Sequence, residues 1–507
     1  MKIEYGKLYD ADMIHPLEFD AARAIQSVPV YDWLGKQAAQ IMKNLDDLPE
    51  AAARWFPVNR YTAPRLYALY RLALKRLNCV EEYPLFLKNG YDLTAEVRGS
   101  RSQGHMIAVN DACVETLDDG ELLALFGQQI GHIRADHTQQ TELLGLLEKS
   151  AGQIPMMGTL IGKKLWACFA DWLIASRFTA DRAALFAAQS VLSAESLLLR
   201  QAGLDPRSPE AEQAISQEIV RGETKPGVYF IRMLHEMPAF GSIERIQTLR
   251  AWVRSEDMKQ KYPQVYYQCR LELNDAPADA ADESLLRLHA AALDGSAKAA
   301  LLLGSRYIRG DGLPMSASAA ADLFLRAAYR GDPAAMRFLA GFMRHGIEGM
   351  TDDKKTVGQL YRAAISRGLK ASGAEEYPPL PENARLAALA GEMAQKYGSL
   401  CDRDAQIVKD AFWIPKGDAV YACMTESDAS GAVYGTAVAS TGIYGRRDEG
   451  SLPFLVTWEQ FETGDLYSRE TDAGRWLFSG SVPILRKPES MRGTAAEMLL
   501  LFKSGKA

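Results

Sequence analysis

A strict 36-residue period in residues 276–372 constrains the fold of this chain more than any other feature. Gly295 recurs as Gly331, Ala299 as Ala335, Leu303 as Leu339 and Gly310 as Gly346. The pair Ala291-Ala292 returns as Ala327-Ala328 and again as Ala363-Ala364. A period of that length belongs to stacked helical units, none of which can bury its apolar face alone. The alanines let paired helices approach closely, and each glycine ends a helix. The segment predicts an α-solenoid.

Ala300, Leu303, Gly304, Tyr307, Gly310 and Gly312, at the spacing they have here, resemble the signature of Sel-like repeats, relatives of tetratricopeptide repeats. The resemblance implies a protein-binding surface. Pro378, Pro379 and Pro381 then mark a joint, and Asn383–Tyr397 reads as a helix that caps the stack, so residues 373–410 form a linker and capping helix. Beyond it, β-branched and aromatic residues broken by Gly, Asp and Ser predict strands at Ala419–Met424, Ala432–Tyr444, Pro453–Phe461 and Arg475–Leu485. A last helix is expected over Ser490–Lys503. Residues 411–507 thus form a small β-rich domain closed by a helix. Thr441-Gly442-Ile443-Tyr444, followed by Val456-Thr457-Trp458-Glu459, resembles bacterial PH-like domains, which implies partner or surface binding rather than chemistry.

Residues 1–275 read as a helix-rich α+β domain. Ala21–Met42, Ala63–Leu77 and Asp118–Gln140 have helical periodicity, while Leu85-Phe86-Leu87 and Met106-Ile107-Ala108-Val109 read as strands. In Asp118–His137, Leu122, Leu125, Phe126, Ile130 and Ile133 recur at helical spacing and define an amphipathic helix against a core. A zinc peptidase of the H-E-x-x-H type places two histidine ligands four apart on such a helix, with the intervening glutamate as general base for the zinc-bound water. The same register here reads Gln128-Gln129-Ile130-Gly131-His132.

These residues, with Glu121-Leu122 at the helix entry, Gly127, Gly131-His132-Ile133 and His137, resemble the metallopeptidase family that includes HtpX and the CAAX prenyl endopeptidases. The likeness covers about residues 10–260. Tyr67–Leu87 resembles the family's helix and first strand, and Met106–Val109 its edge strand. Where the family has Asn-Ala-x-Thr, this chain has Asp92-Leu93-Thr94-Ala95. The family's third zinc ligand is a glutamate in E-x-x-A-D. Here Ala180 and Asp181 match, and the ligand position is Arg177. His235, Pro238, Arg245, Leu249 and Trp252 resemble its closing segment.

Zinc catalysis needs three protein ligands and an open position. Glutamine is a weak neutral donor, a guanidinium stays charged and repels a dication, and Gln129 cannot take a proton at neutral pH. The expected state is a degenerate site at Gln128, Gln129, His132, Arg177 and Asp181, with no metal or cofactor, or His132 alone as a ligand. Arg177 is expected to fill the vacated metal position and to bond Gln128 or Asp181. The function expected is that of an adaptor or scaffold for protein or peptide partners, with an extended polypeptide gripped by strand addition at Met106–Val109. The rival is an active zinc metalloendopeptidase whose ligands are His132 with His105, His137 or His235. A third reading leaves the first domain as a folding platform and places function in the repeats.

A net charge of −6 gives no footprint for nucleic acid. Six scattered cysteines without a C-x-x-C pair read as reduced thiols of a cytoplasmic, bacterial-type protein. The N-terminus shows no apolar core of a signal peptide. The most apolar stretch, Ile154–Ile174, contains Lys163, Lys164 and Asp171 and reads as a core helix, not a membrane span.

Overall fold

The computed structural model of the chain describes residues 10–28, 53–100, 104–138, 140–141, 160–209, 211, 213, 242–346, 353–370, 377–427, 432–447, 451–471, 474–486 and 493–504. It is helix-rich, with antiparallel sheets in its C-terminal region. The chain falls into two units, Gly6–Ala276 and Pro277–Ala507.

The first unit contains a four-stranded sheet of β1 (Phe56–Val58), β2 (Leu85–Lys88), β3 (Ala95–Ser100) and β4 (Gly104–Asn110), in the order β1-β2-β4-β3. Strand β4 runs parallel to β2, with Leu85 opposite Ile107, and antiparallel to β3, with Val97 opposite Ile107. Met106–Val109 is therefore an inner strand, contrary to the edge position expected from sequence. Its four residues are all apolar and all buried, the pattern of a strand covered on both faces. Its backbone groups are used on both sides, so it has no free edge for an added strand.

The helices of this unit that bear on the site are α1 (Pro16–Gln26), α2 (Pro64–Arg76), α3 (Asp119–Arg134), α4 (Leu160–Ala188), α5 (Val191–Gln201) and α6 (Ser242–Val253). Helix α3 starts at a capping box. Asp118 accepts from the Glu121 amide at 2.8 Å, and the Glu121 side chain accepts from the Asp118 amide at 2.9 Å. Helix α2 is tied to β2 by Tyr70, whose hydroxyl donates to the Tyr83 carbonyl at 2.9 Å and accepts from its amide at 2.8 Å. Arg76 donates to the last carbonyls of α4, at Ala187 and Ala188. Arg134, at the end of α3, donates to the Leu77 carbonyl that ends α2. Cations thus sit where the helix dipoles are negative. Among the described residues no helix is long and apolar enough to cross a membrane.

Helices α3 and α4 pack at unusually close range. A methyl group on Gly127 would lie 2.7 Å from the Ala184 Cα and the Ala187 Cβ, and one on Gly131 would lie 2.7 Å from the Ala183 Cβ. The glycines of one helix face an alanine ridge on the other.

In the second unit, α7 (Ala280–Leu293), α8 (Ala297–Arg309), α9 (Ala317–Ala328), α10 (Pro333–Arg344) and α11 (Lys354–Ser366) each pack on the next. Helices α8 and α10 begin 36 positions apart and begin alike. Ser296 and Asp332 cap them through the amides of Ala299 and Ala335, and the preceding Gly295 and Gly331 have φ of 94° and 80°. Gly310, also left-handed at φ 66°, stops α8. Gly304 lets the Phe324 ring of α9 lie against the α8 backbone.

Helix α12 (Ala384–Tyr397), capped by Asn383, and α13 (Ala405–Ala411) lead into two antiparallel sheets. The first is β5 (Val420–Ser427), β6 (Val433–Ala439), β7 (Gly442–Arg446) and β8 (Phe454–Thr457). The second is β9 (Leu466–Thr471), β10 (Gly474–Ser479) and β11 (Val482–Arg486). Helix α15 (Ala495–Lys503) closes them, sharing a core of Leu386, Met393, Ile443, Phe461, Ile484 and Phe502. Between the sheets lies α14 (Trp458–Thr463), where a strand through Phe461 was expected. Thr457 and Gln460 cap one another there, and that local bonding overrides the β propensity of Trp458. Ala432–Tyr444 and Arg475–Leu485 are each two strands joined by a tight turn, not single strands.

The space at each glycine sets the sign of its replacement. Gly127→Ala is expected to lower stability by about 1–3 kcal/mol through overpacking. Gly391→Ala, in α12 where nothing lies within 4 Å of the new methyl, is expected to raise it by up to about 1 kcal/mol through helix propensity. Urea unfolding midpoints of the two variants check this.

Candidate functional site

The close α3–α4 contact brings Gln128 and Asp181 together. The Gln128 amide nitrogen donates to Asp181 Oδ1 at 3.0 Å. Arg245, from α6, grips the same carboxylate with two bonds, Nε to Oδ2 at 2.7 Å and the terminal nitrogen to Oδ1 at 2.6 Å. Both ends of this ion pair are buried, with side-chain exposures of 7% and 2%. Arg177 was expected to bond Gln128 or Asp181, and the guanidinium on Asp181 is that of Arg245. Arg177, one turn before Asp181 on α4, is half-buried, and its charge bears on His132. Gln129 is buried beside Gln128.

At the C-terminal end of α3, His132 Nδ1 meets His137 Nδ1 at 2.8 Å. His137 Nε2 donates to Glu18 Oε1 at 2.7 Å, and the other oxygen of Glu18 accepts from the Thr179 hydroxyl. That hydroxyl in turn accepts from the His15 amide at 2.9 Å. His137 packs edge-on against Trp172, with ring centroids 5.6 Å apart. Burial holds His132 well below the usual histidine range, and the charges of His137, Arg245 and Arg177 push the same way. His105 is buried and bonds the Thr138 hydroxyl at 3.3 Å. His235 and Pro238 lie outside the described residues.

Of the residues singled out from sequence, the fold gathers Gln128 with Asp181 and Arg245, and His132 with His137. Glu18, Thr179 and His15 join them without having been expected. Glu18 gives no signal in sequence, because its apolar neighbours Leu17 and Phe19 are 55% and 53% exposed while the acid itself is 6% exposed. A hydrophobic pattern read along α1 would point the other way.

A cavity of about 740 Å³ opens at the N-terminal end of α3, away from the histidines. Its walls include Glu121, bound by Arg200 at 2.6 Å, and Glu195, bound twice by Arg250 at 2.6 Å. These charges satisfy one another. Among the described residues no group of three or more His, Cys, Asp or Glu side chains is placed to hold a metal ion.

The chain is 24% identical over 261 residues to Plastoglobule-localized metallopeptidase 48, chloroplastic, of Arabidopsis thaliana, an alignment covering 49% of this chain and 74% of that protein. The chain is a distant relative of a metallopeptidase. No family profile matches it, and no solved structure does.

Two outcomes follow from this geometry. Asp181→Ala leaves the Arg245 charge and the Gln128 amide buried without their acceptor and is expected to cost about 3–5 kcal/mol, read as a lowered unfolding midpoint. His132 binds its proton more weakly folded than unfolded. Its contribution is complete above pH 6.5 and is lost below it, at about 1.4 kcal/mol per pH unit until the folded group titrates. His15, held at about 4 by burial and by Arg182 against the opposing pull of Glu18, acts in the same direction. Stability measured from pH 7 to 5 should fall, and less steeply in His132→Gln.

Proposed function

We propose that this chain is a metallopeptidase-like protein that binds proteins and does not cleave them. The observation that carries the reading is the bond from Gln128 to Asp181. A histidine that ligates zinc donates its other ring N–H to a carboxylate. Here a glutamine amide makes that donation, and the acceptor is neutralised by Arg245. The donor set at the register does not fit zinc: one imidazole, one amide committed to Asp181, and the cation Arg177. Gln129 stands at the position of the general base and cannot serve as one. In the rival reading, an active zinc metalloendopeptidase, His105, His137 or His235 would join His132, yet the two of these that are described are engaged elsewhere. His137 turns Nε2 to Glu18, and His105 bonds Thr138.

Binding belongs to other surfaces. Helices 280–366 fit a Sel-like solenoid, and Leu302 and Phe338, 36 positions apart, are 49% and 45% exposed. Such apolar side chains at one repeat position suit a protein partner. The seven strands and closing helix of the C-terminal region suit a PH-like binding domain. In the first unit the outer strand β3, rather than β4, would accept an extended polypeptide. A cytoplasmic, bacterial-type setting belongs to the same reading and rests on composition and reduced cysteines.

Elemental mass spectrometry of untagged protein, purified without added zinc, tests the central claim. Near-zero zinc is expected, and no cleavage of unfolded substrate. The triple variant Gln128→His, Gln129→Glu, Arg177→Glu is expected to acquire about one zinc per chain. Stoichiometric zinc in the native chain, lost in His132→Ala, would establish the rival reading. Partner capture that survives both Leu302→Glu and Phe338→Glu would remove the helical repeats from the binding surface.

A further inference from the structure

Cys401 and Cys423 meet where the chain, having left α12, runs beside β5. They are partners in a parallel β-bridge, and the Cys423 amide donates to the Leu400 carbonyl at 3.1 Å. Bridged strands lie about 4.8 Å apart, inside the Cα separation of about 4.4–6.8 Å that a disulfide spans. Both side chains are free thiols. Cys423 is buried in a small apolar core with Val408, Phe412 and Tyr444, while Cys401 is half-buried at its margin. The Cys423 sulfur also donates to Asp402 at 3.2 Å, and Asp402 is fixed by the Thr425 amide at 2.6 Å and its hydroxyl at 3.0 Å. The two cysteines are thus held side by side on paired backbone, Cys401 half-buried and Cys423 buried.

We propose that Cys401 and Cys423 form a dithiol site for oxidation by peroxide, closing an intrachain disulfide between the segment after α12 and strand β5. The Cys401 thiolate attacks one oxygen of the peroxide. An S–O bond forms, the O–O bond breaks and hydroxide leaves, so the sulfur is oxidised to a sulfenic acid and the peroxide is reduced. Cys423 then attacks that sulfur. The S–S bond forms, the S–O bond breaks, and the departing oxygen takes the Cys423 proton as water. The neighbouring Cys423 thiol pulls Cys401 below the usual thiol range against the effect of burial. Cys423 is pushed up, first by its contact with Cys401 and then by burial. This asymmetry assigns the attack to Cys401 and the closing step to Cys423.

The other cysteines supply internal controls. Cys113, Cys168 and Cys269 are buried, and burial pushes Cys113 up to about 12. Cys79 is half-buried, with the Tyr83 hydroxyl at 3.6 Å as its neighbour. The site lies in the second unit, and its chemistry is independent of the zinc question.

The full-length chain, treated with dilute hydrogen peroxide, alkylated and digested without reduction, tests this by peptide mass spectrometry. The expected product is the Cys401 peptide joined to the Cys423 peptide and lighter by two hydrogens than their sum, with the link removed by dithiothreitol. Cys401→Ser, a change at a partly exposed position, should abolish the link. Cys423→Ser should stop Cys401 at a sulfenic acid that dimedone captures. Recovery of Cys401 as an alkylated thiol while Cys79 is oxidised would overturn the proposal. So would its recovery as a sulfinic acid beside free Cys423.

Discussion

The arrangement of the first unit depends on the approach of α3 to α4 across Gly127 and Gly131. Neither glycine is there for its φ, since both sit within a helix. What they supply is the absence of a Cβ, against Ala180, Ala183, Ala184 and Ala187 one and two turns along the partner. With larger residues the axes would separate, and Gln128 would no longer reach Asp181. Dispersion and apolar burial thus set the geometry that the polar contacts then use.

Once the helices are that close, little water can reach between them, and each buried charge needs a partner from the protein. Asp181 has Arg245, Glu121 has Arg200, Glu195 has Arg250 and Glu18 has His137. Every one of these pairs links two different elements. The acids on α3, α4 and α5 bind arginines on α5 and α6, while Glu18 ties α1 to the residue just past α3. The pairs specify which faces meet, because a rotated helix would leave a carboxylate buried without its partner. Glu121 does this while also capping its own helix. That helix start is consequently fixed both by the chain before it and by α5.

Much of this was legible in the sequence, and the exceptions have physical reasons. The helix at 119–134 follows from the periodicity of its apolar residues, whereas its capping box and the meeting of Gln128 with Asp181 came only with the fold. The depth of β4 within its sheet was not legible either, because a run of four apolar residues suits an inner strand and a covered edge alike. The turns at Ser440-Thr441 and Gly480-Ser481 were hidden inside longer β-like runs, since small residues also occur within strands. Trp458 was read by propensity as strand, whereas Thr457 and Gln460 three positions apart carried the helix signal. Glu18 lay beyond any local rule. It is buried because His137, more than a hundred residues away, comes to it, and only the tertiary fold makes that pairing.

In the reading proposed for the site, the substitutions have an electrostatic logic beyond the loss of ligands. A zinc dication held by one glutamate and two neutral histidines carries a net charge of about +1. Replacing the glutamate by Arg177 and the first histidine by Gln128 removes the metal and the ligand carboxylate together, and one guanidinium restores a net charge of +1. Loss of the carboxylate ligand alone would leave an excess of positive charge, and loss of the metal alone would leave an unpaired buried acid. The glutamine keeps the one hydrogen bond to Asp181 that a ligating histidine would have made. On this view, the net charge and the hydrogen bond to Asp181 carry over while the ligand set is exchanged.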